Sequence, residues 1–65
     1  MKVVVNGNEY DAPRGMTVRE LIEAHRLSVD RVAVELNRRL VRQANYDTAL
    51  NEGDQIEIVT FVGGG

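Results

Sequence analysis

Sixty-five residues, 43% apolar and 28% charged, make one soluble globular domain, with little room to enclose a substrate alongside several catalytic groups. Eight Lys and Arg stand against ten Asp and Glu, a formal net charge of -2, so no basic excess grips a phosphate backbone and general nucleic-acid binding is disfavoured. The absence of cysteine excludes a disulfide framework, a thiolate metal site, an iron–sulfur cluster and a thiol nucleophile.

Lys2 to Asn6 reads as a strand, with Val3, Val4 and Val5 supplying β-branched bulk. Asn6-Gly7 follows, a strong hairpin signal because both residues tolerate the positive φ of a type I′ turn. Glu9 to Ala12 is the returning strand, broken by Pro13-Arg14-Gly15. Thr17-Val18-Arg19-Glu20 fits a capping box. Val18, Leu21, Ile22 and His25 then recur at helical spacing on one face of a short helix, which closes over Leu27 to Asp30 without a glycine.

Arg31 to Leu36 alternates, with Val32, Val34 and Leu36 on one face and Arg31 and Glu35 on the other, as in a strand with one side wet. Asn37-Arg38-Arg39 makes a turn, and Leu40-Val41 begins another short strand. Residues 42 to 51 have no clean period, and Tyr46 and Leu50 are the expected anchors of an irregular or single-turn segment. Glu52-Gly53-Asp54 is a tight turn before the longest strand, Gln55 to Val62.

A hairpin, one amphipathic helix and returning strands form an α+β domain: a mixed sheet of four to five strands packed on the helix, the β-grasp arrangement. The expected division is a β-grasp domain over 1–62 and a flexible reactive tail over 63–65. Met1-Lys2 passes straight into a strand pattern, with no apolar run resembling a signal peptide or a membrane span. A small cysteine-free domain of this kind is expected in the cytoplasm.

Gly63-Gly64-Gly65 follows directly on that strand. Glycines thread channels too narrow for other residues, and three of them extend roughly 10 Å. A terminal carboxylate on Gly65 is ionised at neutral pH and unreactive toward nucleophiles until activated. Attack on ATP gives an acyl-adenylate, which a sulfur or amine nucleophile can open.

Taken together, the Asn-Gly turn, the Thr17-Val18-x-x-Leu21 helix, Val32-Ala33-Val34-Glu35-Leu36-Asn37, Gly53-Asp54-x-Ile56-Glu57-Ile58-Val59 and the finish Val62-Gly63-Gly64-Gly65 resemble the sulfur carrier family of thiamine biosynthesis, a ubiquitin-like β-grasp family. The resemblance covers essentially the whole chain. It implies a carrier without catalytic residues, bound metal or bound cofactor. Gly65 would be adenylated by an E1-like enzyme that uses ATP and then converted to a thiocarboxylate. The sulfur would come from a cysteine-desulfurase-derived donor and pass to thiazole synthase. Gly63 and Gly64 would thread the partners' active sites. One departure is Arg42-Gln43, where family members often carry Pro-Arg, which bears on local backbone geometry. Alternatives are the small subunit of molybdopterin synthase, another ubiquitin-like carrier or modifier, and, in a different class, a β-grasp binding module.

In the last strand Ile56 and Ile58 share the core-facing parity, while Gln55 and Glu57 share the wet one. Val59 and Phe61 continue the wet parity and, with Val62, are the expected docking patch for a partner; a bulge would instead turn them inward. His25, the single histidine, is expected at the helix end without a metal or catalytic role. Arg38, Arg39 and Arg42 are expected in a solvated turn, and Asp47, Glu52, Asp54 and Glu57 on a solvated surface.

Overall fold

The structure, a computed structural model, describes residues 1–61. Five strands, β1 (Lys2–Val5), β2 (Asn8–Asp11), β3 (Val32–Leu36), β4 (Arg39–Val41) and β5 (Gln55–Thr60), form one sheet in the order β2-β1-β5-β3-β4. β1 runs parallel to β5, and every other pairing is antiparallel. The last strand among the described residues is therefore the middle strand of the sheet, and the β-grasp expectation holds.

One helix, α1 (Val18–Ala24), covers one face. Its Val18, Leu21 and Ile22 pack with Val3 and Val5 of β1, Val32 and Val34 of β3, and Ile56 and Ile58 of β5. Alternation along each strand aims these side chains to the same side. Tyr46 and Leu50 close the core from the irregular segment, the anchoring role expected of them.

The helix is short enough that its ends matter. Thr17 is the N-cap of a complete capping box: the Glu20 amide donates to Thr17 Oγ1 at 3.1 Å, and the Thr17 amide donates to Glu20 Oε1 at 2.9 Å. The two free amides ahead of Glu20 are met by the irregular segment. Val18 donates to the Thr48 carbonyl and Arg19 to the Tyr46 carbonyl, at 3.0 and 2.8 Å. The segment without period is thus a scaffold for the helix N-terminus. At the other end Arg26 adopts φ 60°, and Arg26 and Leu27 donate back to Glu23 and Ile22 in a Schellman motif built without glycine.

His25 lies at the helix end, as expected. It is the C-cap rather than a member of the buried helix face, and it is exposed. Its Nδ1 lies 2.9 Å from the Leu21 carbonyl, and its ring tilts against Tyr10 at 5.0 Å between centroids. Arg31 is corrected by this geometry. It closes a short 3₁₀ turn, Val29–Arg31, and β3 starts one residue later.

Two hairpins use type I′ geometry. Asn6 and Gly7 take φ 49° and 83°, and Asn37 and Arg38 take 51° and 70°. The second turn carries an arginine where a glycine is easiest, so its sequence signal was faint. Arg42 is extended, at φ -77° and ψ 150°, and leads into a 3₁₀ turn, Gln43–Asn45. The Arg42-Gln43 departure therefore leaves β4 intact.

Candidate functional site

β5 is held differently at its two ends. At its start, Asp54 is buried, which corrects the expectation of a solvated carboxylate. Its Oδ1 accepts from Asn37 Nδ2 at 3.0 Å and its Oδ2 from the Asn51 amide at 2.7 Å. Asn37 Oδ1 in turn accepts from the Gln55 amide at 2.9 Å. This network ties the β3–β4 turn to the start of β5, and a buried carboxylate stays inexpensive only when its oxygens are met in this way. The sequence signal was present, since Asn37 and Asp54 both belong to the runs that carry the family resemblance, but nothing in the spacing says that they meet.

Farther along, β1 ends at Val5 while β5 continues. The Asn6 side chain takes over where the backbone ladder stops. Its Oδ1 accepts from the Ile58 amide at 2.7 Å, and its Nδ2 donates to the Ile58 carbonyl at 3.2 Å. One amide side chain thus reproduces both bonds of a strand residue, from a position whose positive φ suits asparagine.

On the β3 side the ladder runs without a bulge from Leu36–Ile56 to Val32–Thr60, and the Phe61 amide donates to the Arg31 carbonyl at 2.8 Å. Unbroken register keeps alternation intact, so Val59 stays on the face away from the helix and alternation carries Phe61 to that face as well. They are 59% and 58% exposed. The expected exposure of Val59 and Phe61 is therefore what the geometry has, and the inward-turning bulge is absent at Val59.

Leu40 was missed as part of this surface. It is 68% exposed and pairs with Glu35, which pairs on its other side with Glu57. The signal was available in the sequence, because Leu40 opposes the wet residue Glu35 across a short hairpin. Ala33, half-buried, lies opposite Val59. Arg42 is extended and exposed two residues beyond Leu40, so alternation puts it on the same face, level with Ala33. Arg38 and Arg39 are exposed, as expected of a solvated turn.

Of the other acidic residues, Asp47 is exposed and accepts from Arg19 Nε at 2.9 Å. That bond and the Asp47 charge raise the Arg19 pKa. Glu52 Oε2 accepts from the Lys2 amide, and Glu57 is exposed. No group of three or more His, Cys, Asp and Glu side chains gathers among the described residues in a way that would hold a metal ion. A concavity of about 320 Å³ lies between Met1, Arg14 and residues 49–52, at the end of the sheet away from Phe61. No described helix is long and apolar enough to cross a membrane. Val62, Gly63, Gly64 and Gly65, which carry the modification, threading and part of the docking expectation, lie outside the described residues.

Comparison with known proteins adds three findings. The family model described as the ThiS family matches residues 3–65. The crystal structure of a thiamine biosynthesis protein (ThiS) from Geobacter metallireducens superposes with a TM-score of 0.81 at 30% identity, covering all of both chains. Two proteins named thiazole synthase, from Paramagnetospirillum magneticum (strain ATCC 700264 / AMB-1) and Magnetococcus marinus (strain ATCC BAA-1437 / JCM 17883 / MC-1), are 42% and 39% identical over 66 residues. Each match takes in the whole of this chain and 20% of the relative, so the chain spans about one fifth of their length.

Proposed function

The chain belongs to the ThiS family, the sulfur carriers of thiamine biosynthesis, and from that premise we propose that its Gly65 carboxylate is the group that accepts and surrenders sulfur. The observation that carries this reading is that the family match runs through Gly65 on a body of the same fold.

The chemistry follows from the carboxylate. An oxygen of Gly65 attacks the α-phosphorus of ATP on a partner adenylating enzyme, and pyrophosphate leaves. The terminal sulfur of a donor persulfide then attacks the carbonyl carbon of the mixed anhydride and AMP leaves; a second thiol cleaves the resulting acyl disulfide, taking the donor sulfur into a disulfide and releasing the thiocarboxylate, so that one oxygen is replaced by sulfur. The sulfur derives from a cysteine desulfurase, and the thiocarboxylate delivers it to a thiazole synthase. Two relatives that bear that name each include a stretch matching this entire chain, which supports the synthase as receiver. ATP is bound by the partner, and the carrier itself contributes no acid, base or metal.

The body supplies rigidity and presentation. Gly63 and Gly64 pass through the partners' channels, since residues without side chains fit where no other would. Val59, Phe61 and Val62 are the contacts nearest to that passage. The work is cytoplasmic, where ATP and the sulfur donor are both available.

Incubation with the cognate adenylating enzyme, ATP and a sulfur donor tests this reading by intact mass. The expected gain is about 16 Da, located on the C-terminal peptide, from exchange of oxygen for sulfur. One residue appended after Gly65 abolishes the gain. Labelling that survives this extension overturns the assignment of Gly65.

A further inference from the structure

Asn6 is joined to β5 at three points. Its amide donates to the Ile56 carbonyl at 2.8 Å, and its side chain holds both backbone groups of Ile58. Of the asparagines in the chain, it alone is followed by glycine. Asn8, Asn37, Asn45 and Asn51 precede Glu9, Arg38, Tyr46 and Glu52. That neighbour matters chemically. A side-chain amide is open to attack by the backbone nitrogen of the next residue, and glycine leaves that nitrogen least hindered. A Cβ at Gly7 would meet nothing within 4 Å, so base and water reach the turn freely.

We propose that Asn6 is a site of spontaneous deamidation, that the native turn and the Ile58 clamp hold the reaction off, and that conversion releases the outer half of β5 on its β1 side. The reaction needs only hydroxide and water. The Gly7 amide gives its proton to hydroxide, and its nitrogen attacks Asn6 Cγ. The bond from Cγ to Nδ2 breaks and ammonia leaves, which closes a succinimide ring. Water then adds to one of the two ring carbonyl carbons and breaks its bond to nitrogen, leaving aspartate or isoaspartate.

Two features of the fold oppose ring closure. The new bond needs the Gly7 nitrogen on the Cβ side of the Asn6 Cα–C bond. Asn6 and Gly7 instead take the φ values of a type I′ turn, 49° and 83°. Such a turn sets ψ of its first central residue to about +30°, which puts that nitrogen nearly opposite Cβ. Meanwhile the bonds to the Ile58 amide and carbonyl, at 2.7 and 3.2 Å, keep the side-chain amide aimed at β5. Ring closure therefore proceeds from molecules whose turn has opened and whose clamp has let go, and its rate follows their population. The product cannot restore both bonds. Aspartate has no N–H for the Ile58 carbonyl and sets a carboxylate against it, and isoaspartate also adds a methylene to the main chain inside the turn.

Ageing the full-length protein in mildly alkaline buffer tests this. The mass of its N-terminal peptide is followed without denaturant and, in parallel, in urea beyond the unfolding midpoint. In urea Asn6 is expected to gain about 1 Da, as NH2 gives way to OH. Without denaturant the same gain should appear at least about tenfold more slowly. Equal rates overturn protection by the fold, and an Asn6 that stays unconverted in urea overturns the site itself. Asn6→Asp tests the consequence. Its Ile58 amide should exchange about fivefold faster than the parent's or more, with a smaller change at Leu21 of α1. The aged, converted protein gives the same readout should that variant not fold. An unchanged Ile58 rate in both overturns the release of β5.

Discussion

The two faces of the sheet are built from similar side chains and used in opposite ways. Toward the helix, Val32, Val34, Ile56 and Ile58 are buried, while toward solvent Val59, Leu40 and Phe61 stay more than half exposed. Apolar area removed from water contributes roughly 25 cal/mol per Å², so the first set holds the fold and the second contributes little to it. A small domain with a thin core has few apolar side chains to leave outside. Three on one face contribute little to stability and leave that face open to a partner.

The comparison can be broken most directly from the inside. Ile56→Ala removes a side chain that is 1% exposed in the middle strand, and is expected to cost about 2–5 kcal/mol. In a domain of this size that approaches the whole stability, and urea unfolding with the slope held common reads it. A loss under about 1 kcal/mol would mean that the helix-covered face is not the core.

A smaller effect is expected where the two faces share a support. Asn6→Gly keeps the positive φ of the turn but removes both side-chain bonds to Ile58. The expected loss is about 1–2 kcal/mol, with faster amide exchange at Ile58 than in the parent. An unchanged exchange rate would show that the Asn6 clamp is not what steadies the outer half of β5.

The smallest effect should come from outside. Val59→Ser lies on the open face and is expected to shift stability by no more than about 0.5 kcal/mol. The same substitution should nonetheless weaken partner binding, and that separation of the two readouts sharpens the contrast between the faces. A stability loss as large as that of Ile56→Ala would erase it.

Much of the fold was legible because it rests on local chemistry. Asn6-Gly7 specifies its turn through the φ angles the two residues tolerate, and Thr17 and Glu20 specify the helix start through reciprocal hydrogen bonds. Alternation in β3 and β5 told inward from outward residues, including Val59 and Phe61.

What stayed hidden depends on residues far apart in the chain. Asp54 looked like one more surface carboxylate until the β3–β4 turn brought Asn37 against it. The irregular segment around Tyr46 showed no period because its task is to meet the amides of α1, and carbonyl positions leave no trace in side-chain spacing. The bond from the Phe61 amide to the Arg31 carbonyl joins residues thirty apart. By itself the sequence determined the local turns, the helix cap and the inward and outward faces of the strands. Only the tertiary structure decided which strand became central, which carboxylate was buried and which residues share the open face, because those outcomes are set by long-range register rather than by any residue's own preference.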